Sequence, residues 1–63
     1  MTAPIAIPLT LSAREAAALA QFVKRADRET AARHAGDAQE ADDIYEALIG
    51  LRLALAEAGY APR

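Results

Sequence analysis

The sequence predicts a mainly α fold: a helical hairpin with an N-terminal strand-like arm, two copies of which join in a dimeric four-helix arrangement. Three observations lead there. Ile5, Ile7, Leu9 and Leu11 alternate with Ala6, Pro8 and Thr10, the period of a half-buried strand. Two later stretches carry apolar residues three or four apart, the period of a helix face. The longer of them, Asp37 to Ala58, carries two such faces, and a chain of 63 residues has elements enough to cover only one.

The arm spans residues 3–11. Pro8 has no amide proton, so its side of a strand must be an unpaired edge, while the amides of the odd-numbered residues are free to pair. No other segment has strand periodicity. The matching segment is therefore the same arm in a second copy, as an antiparallel ribbon; an extended arm lying across the helices is the other arrangement.

Ser12 followed by Glu15 is a capping box, which starts a helix at Ala13. Its apolar face is Ala16, Leu19, Ala20, Val23 and Ala26, with Phe22 at the margin. Asp27, Thr30 and His34 then occupy that face, so the core-facing helix is expected over 13–26. Residues 28–35 are rich in helix formers but lack a large apolar anchor, and read as a short or frayed extension to 35.

Gly36 breaks the run, and Asp37 with Glu40 repeats the capping logic ahead of a helix over 38–58. Ala41, Ile44, Leu48, Leu51, Leu55 and Ala58 follow heptad a and d spacing and form the seam toward the first helix. Tyr45, Ile49, Leu53 and Ala56 form the second stripe, roughly 100 to 180° away at ~100° per residue. Gly59 suits a left-handed C′ position, Tyr60 a C″ residue touching Leu55, and Pro62 blocks continuation. Gly50, in mid-helix, costs about 1 kcal/mol relative to alanine. It marks either the close approach of another backbone or an open surface position.

Composition narrows the function. Seven Lys and Arg against nine Asp and Glu leave a formal charge of −2, which disfavours nucleic acid as a partner. Without cysteine there is no disulfide, and His34, the one histidine, cannot build a zinc site alone. The start MTAPIAIPLTLSAREA lacks the basic and apolar regions of a signal peptide. No stretch nears the ~20 apolar residues of a spanning helix, so no membrane is expected and a cytoplasmic protein is the default. Charge is unevenly spread: Lys24, Arg25, Arg28 and Arg33 precede the acidic set Asp37, Glu40, Asp42, Asp43 and Glu46. Two solvated faces are the plain interpretation; an acidic surface that inhibits a host defence or nucleic-acid-handling protein is the sharper one.

There is no Gly-rich phosphate loop, no paired histidines and no nucleophile elbow. The expectation is a non-enzyme without cofactor or metal. Asp42 and Glu46, at i and i+4 with Asp43 beside them, suit a hard cation only across an oligomer axis. Surface binding remains. Burial of the second stripe in a symmetric pair is worth ~8 to 14 kcal/mol when Tyr45 is counted like a large aliphatic. Association costs an estimated ~4 to 15 kcal/mol. The stripe is borderline alone and sufficient with a shared ribbon, so the expected partner is the chain itself, through Ile5, Ile7, Leu9, Tyr45, Ile49, Leu53 and Ala56. A foreign protein is the other candidate for this surface.

A strand followed by two helices in an obligate dimer resembles the ribbon-helix-helix repressors, whose ribbon reads DNA from its outward face. That face would here be Ala6, Pro8 and Thr10, two of which cannot hydrogen-bond through a side chain. The span from Ser12 to Gly36 also exceeds the short first helix of that fold. Closer is the likeness carried by AAALAQFVKR, from Ala16 to Arg25, and ALAEAGYAPR, from Ala54 to Arg63. In these words the chain resembles short uncharacterised proteins of proteobacterial prophages and other mobile elements, while Ala26 to about Asp42 departs from that pattern. The likeness implies an accessory of a mobile genetic element and transfers no functional residue.

Overall fold

Side-chain caps decide where each helix of this chain begins. Ser12 Oγ accepts from the Glu15 amide at 3.1 Å, and Glu15 Oε1 accepts from the Ser12 amide at 2.8 Å. The computed structural model describes residues 3–60. Within them α1 spans Ala13–Arg25, α2 Arg28–Arg33 and α3 Ala38–Glu57, and no strand is formed among the described residues.

The first helical stretch differs from the expected 13–26 with an extension to 35. Ala26 and Asp27 adopt extended backbone and separate two helices. The reason is a second reciprocal cap: Asp27 Oδ1 accepts from the Thr30 amide at 2.9 Å, and the Asp27 amide donates to Thr30 Oγ1 at 3.4 Å. A side chain that offers the backbone this local partner favours a fresh helix start over continuation. At the far end of α2 His34 is the C-cap, and its Nδ1–H donates to the Thr30 carbonyl at 2.9 Å. α2 is also anchored, against expectation. Ala31 is only 1% exposed, so a methyl group pressed against α3 holds the helix where no large residue is present.

Asp37 caps α3 through Oδ1, which accepts from the Glu40 amide at 2.8 Å. Glu40 does not return to the cap residue as the capping box expects. Its Oε1 accepts from the Gly36 amide at 2.9 Å, closing the turn one residue earlier. At the other end the Tyr60 amide donates to the Leu55 carbonyl at 2.8 Å and the Gly59 amide to the Ala56 carbonyl at 3.0 Å, with Gly59 at φ +96°. Those two bonds and the left-handed glycine make a Schellman termination. Pro62, expected to stop the helix, lies outside the described residues.

α1 and α2 together run antiparallel to α3. Ala16 and Ala20 cluster with Leu55 near the end of α3, whereas Arg28 reaches Asp42 and Tyr45 near its start. The core is Ala16, Ala20, Val23 and Leu55, with Leu11, Leu19, Leu51 and Tyr60 partly buried against it. Alanines at the crossing let the two helices approach closely. They also keep the core small, and among the described residues no large side chain is fully enclosed.

Candidate interaction surface

The two stripes of α3 meet different environments. On the first, Ala41, Ile44, Leu48 and Leu51 are half-buried and Leu55 is buried, so this stripe faces α1 and α2; Ala58, at its end, is exposed. On the second, Ile49 is 41% exposed, Leu53 is 63% exposed and Ala56 is exposed. Tyr45 begins this stripe and is half-buried, because the Arg28 guanidinium lies 4.3 Å from the centre of its ring. Phe22 is exposed as well. It stands four residues before Ala26 on α1, and Ala26 lines a shallow depression of about 40 Å³ with Tyr45, Leu48 and Ile49. An apolar margin thus runs along one side of the hairpin.

The arm lies beside the later part of α3. Residues 3–10 are exposed, and Leu11 is the first to pack on the core. Ile7 and Leu9 remain 81% and 67% exposed although they line a groove with Leu11, Leu51, Leu55 and Tyr60. Its volume is about 380 Å³. Altogether the chain exposes 5247 Å².

The acidic residues occupy the first half of α3 and its cap, and all five are exposed. Asp37 and Glu40 bond to the backbone at the start of the helix. Asp42 Oδ1 lies 3.6 Å from Arg28 Nη1, and Asp43 Oδ1 accepts from Gln39 Nε2 at 3.1 Å. Glu46 has no ion pair or side-chain hydrogen bond among the described residues. Four of the five carboxylates are therefore engaged locally. No group of three or more His, Cys, Asp or Glu among the described residues is placed to hold a metal ion. Nor is any described helix long and apolar enough to cross a membrane.

One family matches the chain over residues 1–63, its whole length. The chain belongs to DUF7706. This is a family of unknown function, so membership in DUF7706 attaches no ligand or activity to any residue above. No curated protein and no solved structure matches the chain.

Two features of this DUF7706 chain were not among the sequence expectations. Arg28 covers part of the second stripe, a pairing that exists only because α2 folds back along the start of α3. The other is Asp27, whose carboxyl is held below the ordinary aspartate range by the Thr30 amide first and the Thr30 hydroxyl second. Its signal was available as an aspartate three residues before a hydroxyl side chain able to reach back.

Proposed function

We propose that this protein is a non-catalytic interaction module that self-associates, with two hairpins laying the outer stripes of α3 together in a four-helix arrangement. The observation that supports this is the exposed apolar surface on Ile49, Leu53 and the arm. Scaling by exposure, Ile49 and Leu53 in both copies contribute ~3 to 6 kcal/mol. Ile5, Ile7 and Leu9 in both copies add ~7 to 14 kcal/mol. Against an association cost of ~4 to 15 kcal/mol, the arms carry the larger share of the pairing. This revises the expectation from spacing, in which Tyr45 counted as wholly available; Arg28 already covers part of it.

A regulatory or structural accessory of a mobile genetic element is the biological setting we favour, on the likeness of AAALAQFVKR and ALAEAGYAPR to short prophage proteins. Inhibition through the acidic surface is the weaker reading. Asp37, Glu40, Asp42 and Asp43 are turned to groups of their own chain. DNA recognition through Lys24, Arg25, Arg28 and Arg33 is weaker too, since Arg28 is shared between Asp42 and Tyr45. Both charge-driven readings require affinity to fall steeply with salt, whereas apolar self-association does not.

Light scattering tests the proposal. The parent should have the mass of two copies or more, Ile49→Asp with Leu53→Asp should shift it toward one, and Asp42→Lys with Glu46→Lys should leave it unchanged. A parent that sediments as a single folded copy at micromolar concentration would sink the proposal. So would the first pair keeping the parental mass and melting temperature.

A further inference from the structure

Helix α2 is the least firmly held element of the hairpin. It has six residues, and an isolated helix in water is marginal below about 12 to 15. Its persistence therefore depends on what ties it to α3. Ala31 is its one buried residue, and the Arg28 guanidinium reaches Asp42 and the Tyr45 ring while the Arg28 and Asp42 side chains both stay mostly exposed. Glu29, Ala32 and Arg33 are exposed and Thr30 is half-buried. The bonds of the reciprocal cap run between Asp27 and Thr30 themselves, so they start α2 without fastening it to α3. By contrast α1 buries Ala16, Ala20 and Val23, which cluster with Leu55.

The neighbours of α2 end without its help. Ala26 and Asp27 are extended on one side, and His34 to Asp37 are non-helical on the other. The Ala26 amide closes α1 on the Phe22 carbonyl. Asp37 and Gly36 bond to Glu40, so the start of α3 is capped from within its own segment. Removing α2 from its seat breaks none of these bonds.

What α2 covers is apolar. It lies along the first half of α3, where Ala41, Ile44 and Tyr45 are half-buried. With Leu48 and Ile49 they stand at i, i+3, i+4, i+7 and i+8, one face of a helix. Of the five only Ile49 is openly exposed while α2 is in place.

We infer that α2 is a lid. It melts away from α3 by itself, with α1 still packed on Leu55, and bares Ala41, Ile44 and Tyr45 as one strip continuous with Ile49. Elements with few buried contacts and exposed backbone bonds open at a free energy below that of the whole fold. The opening needs no second copy, and a partner that binds the strip draws the equilibrium toward the open form.

Native-state hydrogen exchange followed by NMR tests the lid. In α2 and its cap the reporters are the amides of Ala31 and His34, which donate to the Asp27 and Ala31 carbonyls at 3.1 and 3.2 Å. Ala20 and Leu51, inside α1 and α3, report on the packed hairpin. Protection at Ala31 and His34 is expected to be about tenfold or more below that at Ala20 and Leu51. It should also be nearly insensitive to low denaturant, because that slope follows the surface exposed and the lid exposes little. Leu55→Val, at the far end of α3, gives an independent reading. Exchange at Ala20 and Leu51 should quicken several-fold, while Ala31 and His34 keep their rates, since the open form retains the core around Leu55. The lid is overturned if all four amides share one protection and one denaturant slope, or if Leu55→Val speeds them alike; α2 then leaves its seat only when the whole chain unfolds.

Discussion

The guanidinium of Arg28 lies 4.3 Å from the ring centre of Tyr45 and 3.6 Å from the carboxylate of Asp42, and so ties the short helix α2 to the first half of α3. An exposed cation–π contact contributes about 0.5 to 1 kcal/mol. An exposed ion pair adds ~0.2 to 1 kcal/mol. Arg28→Ala is expected to lower stability by roughly 1 kcal/mol, a fall of about 4 to 8 °C in melting temperature for a domain of this size. Arg28→Lys should lose part of that, since an ammonium cannot stack on the ring as a planar group does. A double-mutant cycle of Arg28→Ala and Tyr45→Leu, followed by thermal denaturation, checks the pairing; a coupling energy indistinguishable from zero rejects it.

What could be read from the residues in order was mostly what acts over three or four positions. The box of Ser12 and Glu15, the Asp37 cap and the Gly59 to Tyr60 termination are local, and each forms at its residues. The inward seam through Leu48, Leu51 and Leu55 was legible because period and burial coincide. Asp27 with Thr30 follows the same physics, but threonine stands where a glutamate or glutamine is usually sought. Ala31 shows a different limit: how closely two backbones approach decides whether a methyl group anchors a helix, and no spacing rule contains that distance. Arg28 over Tyr45 and the groove behind the arm lie further out of reach, because their members come from segments joined only by the folded chain. For the candidate surface, spacing identified the stripe and the arm, and folding determined how much of each was already covered.

Gly50 and Gly59 should respond in opposite directions to alanine. A Cβ at Gly50 meets nothing within 4 Å, and the residue is an exposed position inside α3. Gly50→Ala should raise stability by ~0.5 to 1 kcal/mol by removing backbone freedom from the unfolded chain. Gly59→Ala also meets open space, but its φ of +96° strains any L side chain, so a loss of ~1 to 2 kcal/mol is expected. Chemical denaturation of both variants checks the signs. If Gly50→Ala instead destabilises and lowers the mass by light scattering, a second backbone lies against Gly50.

Leu55 is 5% exposed and is the largest side chain of the buried cluster with Ala16, Ala20 and Val23. Truncating a buried leucine to alanine costs ~2 to 5 kcal/mol. The whole stability of a chain this short is on the order of ~3 to 9 kcal/mol. Leu55→Ala should therefore remove much of the helical circular dichroism at ambient temperature. By contrast Leu53→Ala, on the exposed stripe, should leave the signal of a dilute sample nearly intact and lower the apparent mass. A Leu55→Ala protein that melts like the parent would show that this cluster is not the core.

Asp27 makes stability depend on acid in a defined direction. The Thr30 amide, followed by the Thr30 hydroxyl, lowers its folded-state pKa below the ordinary value of 3.8. A carboxyl with a depressed folded pKa contributes stability that is present above its unfolded pKa and is lost as pH falls through the folded value. Asp27→Asn is the informative replacement, because asparagine caps a helix about as well as aspartate but carries no charge to be stabilised. This variant should melt below the parent at neutral pH, and the gap should stay level down to about pH 4, near the unfolded pKa. It should then narrow as the medium is acidified further. Melting curves of the two proteins between neutral pH and about pH 2.5 follow this window, which opens at the unfolded aspartate value. A gap that is constant across the range, or that widens in acid, would mean that the charge of the Asp27 carboxylate gains nothing from Thr30.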